Sequence, residues 1–184
     1  MKYSTRKSFL KFFIPLCLYA VIILITCCAP EACGHGEEKK YDAVVLKAID
    51  GDTVNVYFPG EKPLSCKRQE RVRLIGVDTP EMHFSDGLEP DYYAQEATDY
   101  TSSCLEGKEV EISLDDVSSE RDVYGRILAY IYIDGECFNR RLIQEGFGYY
   151  YGNFEFNRSL MDSFRKAQDE ARERRAGLWS LLAE

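Results

Sequence analysis

Three short segments of the chain carry carboxylates and arginines that could act together on a phosphate. The segment R-L-I-G-V-D-T-P-E holds Arg73, Asp78 and Glu81, while Asp52 lies upstream in D-G-D-T and Arg126 lies downstream in Y-G-R. Carboxylate oxygens suit a hard divalent cation, and guanidinium groups suit a phosphate because they offer paired donors. The combination predicts metal-assisted cleavage of a phosphodiester.

Each segment taken alone has a simpler interpretation. D-G-D at 50–52 and D-T-P at 78–80 are common turn sequences, Glu81 could be a solvated loop acid, and Arg126 could pair with Asp122 in a turn. Asp52 and Asp78 are 26 positions apart, so only the fold can bring them to one rim of a sheet. If it does, both carboxylates and the Thr79 carbonyl would form a partial oxygen cage for Ca²⁺.

The charge of the chain restricts how it could bind nucleic acid. The whole chain carries −8, and residues 41–184 hold 17 Lys/Arg against 28 Asp/Glu, a net charge of −11. Affinity for nucleic acid usually comes from neutralising phosphates. We therefore expect any phosphate site to be local, built by arginines and a metal, and we expect binding to long polymers to be weak or salt-sensitive.

Residues 1–27 are typical of an export signal. Residues 2–11 carry four basic residues and no acid, and an apolar run of 15 residues follows at 12–26. A membrane span needs roughly 20 residues. The L-I-T-C-C sequence at 24–28 resembles a bacterial lipobox, which predicts a cell-envelope lipoprotein attached to the membrane through a lipidated Cys27, or through Cys28 if processing differs. A cleaved secreted chain and an uncleaved N-terminal anchor remain alternatives, and residues 28–40 are predicted to be a flexible tether.

Hydrophobic patterning divides residues 41–182 into short strands and helices. Strands are predicted at 41–49, 53–58, 71–77, 109–114 and 127–133, and helices at 92–105, 137–145 and from Ser159 onward. The last helix has an apolar stripe every three or four residues, and Ser159 and Asp162 are predicted to cap its start. Five short strands with one inserted helix predict an α+β domain, mainly β, built as a five-stranded Greek-key barrel of the OB type with three helices.

Two further features leave alternatives open. Cysteines 33, 66, 104 and 137 are too scattered for a zinc site, and the sequence does not say whether any pair forms a disulfide. The aromatic residues between 147 and 156 could stack on bases or cover an edge of the core. A monomer is the default expectation.

Taken together and in this order, the motifs resemble the thermonuclease family, the staphylococcal-nuclease-like domains. The resemblance runs from about residue 41 to 179, and it rests on six segments: I-D-G-D-T-V at 49–54, R-L-I-G-V-D-T-P-E at 73–81, A-Q-E-A at 94–97, D-V-Y-G-R at 122–126, A-Y-I-Y at 129–132 and G-L-W at 177–179. It implies an OB-fold barrel and a Ca²⁺-dependent phosphodiesterase acting on DNA and RNA.

The resemblance also implies a role for each candidate residue. Asp52, Asp78 and the Thr79 carbonyl would bind calcium, and Glu81 would correspond to the family's proposed general base. Tyr124 would lie near the bound nucleotide. Arg73 and Arg126 would correspond to the two catalytic arginines, and loss of either is predicted to cost roughly 10²–10³ in rate with little change in fold.

The chain departs from the family pattern at two places. The stretch 146–157 has no clear counterpart of the aromatic residue that stacks near the base, and it carries Gly152 about where a tyrosine would be expected. The loop 82–93 lacks flanking lysines and is acidic. The alternative function is therefore a catalytically weak or inactive OB-fold module that binds a nucleic acid or a protein partner.

Overall fold

The computed structural model describes residues 39–83 and 87–181. The predicted leader and the predicted tether up to residue 38 lie outside the described residues, so export, processing and lipidation stay predictions. No helix within the two described ranges is long and apolar enough to cross a membrane.

Five strands close into the predicted barrel. Neighbouring strands of the barrel are antiparallel, with one exception. The third and sixth strands of the chain are parallel, and their pairing closes the barrel. The strands are β1 (Lys40–Ala48), β2 (Thr53–Tyr57), β3 (Gln69–Leu74), β4 (Val77–Asp78), β5 (Glu109–Leu114), β6 (Ile127–Ile133), β7 (Glu136–Cys137) and β8 (Tyr149–Tyr150). The barrel order is β3-β2-β1-β5-β6, which confirms the predicted five-stranded barrel.

The alternation of side chains along β3 places a candidate catalytic residue on the outer face of the barrel. Val72 and Leu74 are buried in the barrel core, and Arg73 between them lies on the outer face. Thr53 of β2 pairs directly with Arg73, and Leu128 of β6 flanks it on the other side. The outer face of the barrel therefore presents Thr53 of β2 beside Arg73 of β3, and Arg126 directly precedes β6.

Three helices cover the barrel: α1 (Ala94–Leu105), α2 (Phe138–Gln144) and α3 (Arg158–Glu173), followed by a 3₁₀ turn (Gly177–Leu181). The predicted apolar stripe of α3 is confirmed, since Phe164, Ala167 and Ala171 are its buried residues. The predicted cap was wrong. Asn157 caps α3, and its side chain accepts a hydrogen bond from the Leu160 N–H at 3.2 Å. A short polar side chain just outside the first turn can reach the unpaired N–H groups, whereas Ser159 is already helical.

A small second sheet, which the sequence did not indicate, joins β4 to β8. Val77 pairs with Tyr150 and Asp78 pairs with Tyr149. Gly148 permits this approach, because a Cβ there would lie 2.9 Å from a Val77 methyl group. Because the pairing is antiparallel, the chain after β8 lies beside the start of β4, where the Tyr151 N–H donates to the Gly76 carbonyl at 2.9 Å. Residues 151–156 therefore border the predicted site.

Candidate active site

Asp52 lies at the buried end of the β1–β2 turn and reaches across to the segment after β4. Its side chain is almost fully buried, and its Oδ2 accepts a hydrogen bond from the Thr79 N–H at 2.9 Å. Gly51 makes the approach possible, since a Cβ at that position would lie 2.7 Å from the Thr79 hydroxyl oxygen. The glycine of the D-G-D sequence is thus required by its packing against Thr79.

Arg73 joins the two predicted calcium-binding carboxylates. Its Nη1 forms an ion pair with Oδ2 of Asp52, and its Nη2 donates to Oδ1 of Asp78 at 2.8 Å. Nη1 also donates to the Val77 carbonyl at 2.9 Å. Only 14% of the Arg73 side chain is exposed. The fold therefore brings Asp52, Arg73 and Asp78 into one contact group, although they come from three separate strands or strand ends.

Arg126 is connected to the same group through Thr53. Its Nε donates to Asp122 Oδ2 at 2.6 Å, and its Nη1 donates to the Thr53 hydroxyl at 3.3 Å. That hydroxyl in turn donates to Oδ1 of Asp52 at 3.2 Å. A continuous chain of hydrogen bonds and ion pairs thus runs Arg126–Thr53–Asp52–Arg73–Asp78.

Sequence reasoning assigned no role to Thr53. Thr53 directly follows Asp52 and is the first residue of a strand. This position could have suggested that its hydroxyl faces the predicted active site. The sequence also could not show that Arg126 can pair with Asp122 in a turn and still face the predicted active site. Asp122 orients the guanidinium by accepting from its Nε and from the Arg126 backbone N–H at 2.9 Å.

Glu81 lies on the exposed segment after Pro80 and is tied down by a residue that sequence reasoning did not single out. The Glu81 N–H donates to Asp91 Oδ2 at 3.2 Å, and the Glu81 carbonyl accepts from the Asp91 N–H at 3.0 Å. Oδ1 of Asp91 contacts His83 Nε2 at 3.2 Å. Asp91 therefore closes the loop that carries Glu81, and both ends of that loop lie within the described residues.

The carboxylates of the site act on one another electrostatically. The pKa of Asp52 is raised to about 7. Burial is the largest cause and Asp50 and Asp78 also raise this pKa, whereas Arg73 and the Thr79 N–H lower it. Burial, Asp50 and Asp78 also raise the pKa of Glu81, and Arg73 opposes them. Four carboxylates thus share a small region with one buried arginine, and the charge of Arg126 is offset by Asp122.

This surplus of negative charge fits a hard dication. All the candidate ligands are oxygen donors, which is the ligand chemistry that calcium prefers. Within residues 39–83 and 87–181 there is no group of three or more His, Cys, Asp or Glu side chains placed to hold a metal ion. The fit is therefore one of donor type and charge, with a backbone carbonyl and water needed to complete any coordination shell.

A cleft of about 560 Å³ opens beside Arg73, Asp78 and Arg126. One wall is the segment 117–124 and the other is the segment 151–156. Tyr124 is 81% exposed, and its ring centroid lies 5.5 Å from Cζ of Arg126. Tyr124 thus lines the cleft next to Arg126, and its contact with a nucleotide stays a prediction.

The aromatic cluster at 147–156 divides between the two roles that the sequence left open. Phe147 stacks on Tyr100 at 4.1 Å between ring centroids and belongs to the edge of the core. Tyr151 and Phe154 line the cleft, and Phe154 is 70% exposed. The cleft therefore contains aromatic side chains opposite Tyr124, in the stretch where no clear counterpart of the family's stacking aromatic residue was found.

A buried carboxylate fixes both walls of the cleft. Asp115 accepts from the Val117 and Ser118 N–H groups at 2.9 and 2.7 Å on one wall. It accepts from the Asn157 N–H at 2.8 Å on the other wall, and from the Tyr130 hydroxyl at 2.6 Å beneath them. The shape of the cleft thus depends on a residue that does not line it.

Comparison with known proteins agrees with this geometry. The family model described as staphylococcal nuclease homologue matches residues 71–181, more than half of the chain. Thermonuclease of Staphylococcus hyicus is 34% identical over 140 residues, which is 74% of this chain and 74% of that protein. The chain belongs to the staphylococcal nuclease family. It is therefore a nuclease, and its barrel is that of a staphylococcal-nuclease-like domain.

Other relatives are similar over a comparable part of the chain. Endonuclease YncB of Bacillus subtilis is 30% identical over 145 residues, covering 78% of this chain and 64% of that protein. An uncharacterized protein of Methanocaldococcus jannaschii is 35% identical over 161 residues, covering 76% of this chain and 72% of the other. The staphylococcal-nuclease-like domain thus accounts for about three quarters of this chain in each comparison.

No disulfide joins Cys66, Cys104 and Cys137 in the structure, and Cys33 lies outside the described residues. Cys66 is buried in the hydrophobic core, and Cys104 and Cys137 are partly buried against it.

Proposed function

We propose that the protein is a Ca²⁺-dependent nuclease that hydrolyses DNA and RNA. The observation that carries the proposal is the continuous chain of contacts from Arg126 through Thr53, Asp52 and Arg73 to Asp78. It sets the guanidinium groups of Arg73 and Arg126 and the carboxylate of Asp78 at the side of a cleft of about 560 Å³, with the Asp52 carboxylate buried behind them.

Asp52, Asp78 and the Thr79 carbonyl would hold the calcium ion. Bound there, the ion would supply electrostatic stabilisation for the charge that develops on the phosphate oxygens. The carboxylate surplus around Asp52 supports this assignment, because a dication relieves the mutual repulsion of Asp50, Asp52, Asp78 and Glu81.

Glu81 would take a proton from the attacking water. The oxygen of that water forms a bond to phosphorus, the bond from phosphorus to the leaving oxygen breaks, and the leaving oxygen gains a proton from solvent. The raised pKa of Glu81 favours this role, since a base is most effective when its pKa lies closer to the working pH. The hydrogen bonds from the Glu81 N–H to the Asp91 carboxylate and from the Asp91 N–H to the Glu81 carbonyl would restrict where the Glu81 carboxylate can move.

Arg73 and Arg126 would donate N–H groups to the non-bridging phosphate oxygens. These bonds strengthen as negative charge accumulates in the transition state, so they lower the barrier more than they tighten substrate binding. Their existing partners, Asp52 and Asp78 for Arg73 and Asp122 for Arg126, hold the guanidinium planes in place beforehand. Tyr124 would contact the nucleotide at the mouth of the cleft.

The reaction class can be tested on purified protein with denatured DNA and with RNA. Acid-soluble nucleotides are measured in the presence of calcium and again with a calcium chelator. We expect release with calcium and none with the chelator. No release in either condition, from a sample with a cooperative unfolding transition, would refute the proposed function.

We further propose that the chain is exported and attached to the cell envelope by lipid on Cys27, with the nuclease domain joined to the anchor by residues 28–40. The support is the leader sequence alone. Labelled palmitate supplied to cells should enter the wild-type chain and not Cys27→Ala. Label retained by Cys27→Ala and lost from Cys28→Ala would move the processing site by one residue. No label in the wild-type chain would refute lipidation and leave secretion or an uncleaved anchor.

A further inference from the structure

The outer face of β3 carries a second arginine two residues before Arg73. Arg71 pairs directly with Asn55 of β2, just as Arg73 pairs with Thr53. Side chains of residues paired across antiparallel strands point to the same face, and so do residues two apart on one strand. Arg71 and Asn55 therefore lie on the same surface as Arg73 and Thr53, one step farther along the strands.

The parallel pairing of β3 with β6 places Arg71 beside the other arginine of the site. Val72 pairs with Ile127, so Arg126, directly before Ile127, flanks Arg71 across the same pair of strands. Residues two apart on a strand are separated by about 6.6–6.8 Å. This step is comparable to the separation of successive phosphates in an extended single strand.

Arg71 is available for a ligand in a way that the other arginines of this region are not. It is exposed, and no ion pair or hydrogen bond ties its side chain to another residue in ranges 39–83 and 87–181. Arg73 is held by Asp52 and Asp78, Arg126 by Asp122, and Arg121 by Glu70. In a domain of net charge −11, an exposed guanidinium without a carboxylate partner at the edge of the site supplies a positive charge that can pair with a phosphate.

We propose that Arg71, with Asn55 beside it, binds the phosphate adjacent to the scissile one, so that the enzyme prefers an extended single-stranded polynucleotide over a single phosphodiester. This inference rests on the proposed function, because it takes the position of the scissile phosphate from Arg73 and Arg126. The Asn55 amide can donate to the same phosphate oxygens while Arg71 neutralises their charge.

The test compares Arg71→Gln with Lys108→Gln as a matched control. Lys108 is also exposed, and it lies between α1 and β5, outside the face formed by β2 and β3. Each substitution removes one positive charge. Binding of a fluorescent oligothymidylate of about twelve nucleotides, within the usual range of single-strand site sizes, is followed by anisotropy across a salt series. Glu81→Gln is the parent for binding, so that the probe is not cleaved.

We expect Arg71→Gln to weaken binding about tenfold at low salt, the effect of losing one charged hydrogen-bonded contact. We also expect the slope of log affinity against log salt to fall by about 0.7, the value for one phosphate on a single strand. Lys108→Gln should change neither the affinity nor the slope beyond experimental scatter. Equal effects of the two substitutions, or no binding of the probe by the parent, would overturn the inference.

A kinetic measurement separates this inference from the proposed function. In the active protein, Arg71→Gln should raise KM for the oligothymidylate several-fold more than KM for a thymidine dinucleotide, which has one phosphodiester and no neighbouring phosphate. Equal effects on both substrates would place Arg71 at the scissile phosphate and overturn the inference. Wild-type protein that binds the oligonucleotide with the predicted salt slope but cleaves neither substrate would refute the proposed function and leave the binding assignment intact.

Discussion

The ion pair between Arg73 and Asp52 leads to a prediction that differs from the one made from the sequence. The sequence suggests that Arg73→Ala slows catalysis with little effect on the fold. In the structure, only 14% of the Arg73 side chain and 4% of the Asp52 side chain are exposed. Removing Arg73 therefore leaves a buried carboxylate without its counter-charge, which typically costs about 3–5 kcal/mol of unfolding free energy.

The cost can be assigned to Asp52 by a double-mutant cycle. In Asp52→Ala/Arg73→Ala both charges are gone, so most of the stability lost in Arg73→Ala should return. In urea, a loss of about 3–5 kcal/mol lowers the unfolding midpoint by about 2 M, since the dependence on urea is about 1–3 kcal/mol/M for a small domain. Calcium is omitted from these measurements so that only the ion pair is compared.

Activity should not follow stability in this series. Both Arg73→Ala and the double variant should lose roughly 10²–10³ in rate or more, because neither presents the Arg73 donors to the phosphate. A midpoint of Arg73→Ala within about 0.3 M of wild type, or a double variant no more stable than Arg73→Ala, would contradict the buried-pair reasoning. Arg73→Lys is the control for charge alone, and it should recover more stability than activity because one ammonium cannot reproduce two directed donors.

Three further predictions concern residues around this pair. Arg126→Ala should lower the rate roughly 10²–10³-fold with a much smaller loss of stability, because backbone N–H groups still satisfy Asp122; a rate near that of wild type would remove Arg126 from the mechanism. Asp91→Ala should lower kcat roughly tenfold, because it frees the loop that carries Glu81. Asp91→Asn should keep most of the wild-type kcat, because its amide oxygen still accepts from the Glu81 N–H; equal kcat in the two variants would argue against a role of this hydrogen bond. Asp115→Asn should lose about 3 kcal/mol in urea unfolding, because an amide cannot accept all four of its hydrogen bonds.

The pH dependence of Asp115→Asn follows from the same contacts. Burial raises the pKa of Asp115, but the Tyr130 hydroxyl and three backbone N–H groups outweigh it and hold the pKa below its usual range. A carboxyl with a lowered folded pKa stabilises the fold above its unfolded pKa of about 4, and the contribution is lost as pH falls through the folded pKa. The difference in unfolding free energy between wild type and Asp115→Asn should therefore be full at neutral pH and shrink in acid; a difference that stays constant down to pH values below the unfolded pKa would refute this account.

Local pattern was sufficient for most of the secondary structure. Alternation in β3 and the stripe of α3 follow from burying apolar side chains on one face, and this depends only on spacing along the chain. The cap of α3 was missed because both Asn157 and Ser159 are acceptable capping residues, and the choice depends on where the chain leaves the cleft wall. The β4–β8 pair was missed because two-residue strands carry no periodicity.

The sequence by itself determined the chemistry that this protein can offer: which carboxylates, guanidinium groups and aromatic rings are present, and the order of motifs that places it in a nuclease family. Only the tertiary structure decided which of them meet. Asp52, Arg73 and Asp78 come together because β2 and β3 are paired and the segment after β4 turns back onto Gly51, and Thr53 connects Arg126 to them because β6 closes the barrel against β3. Contacts between residues distant in the chain depend on register and closure, and neither is encoded in the spacing of any one segment.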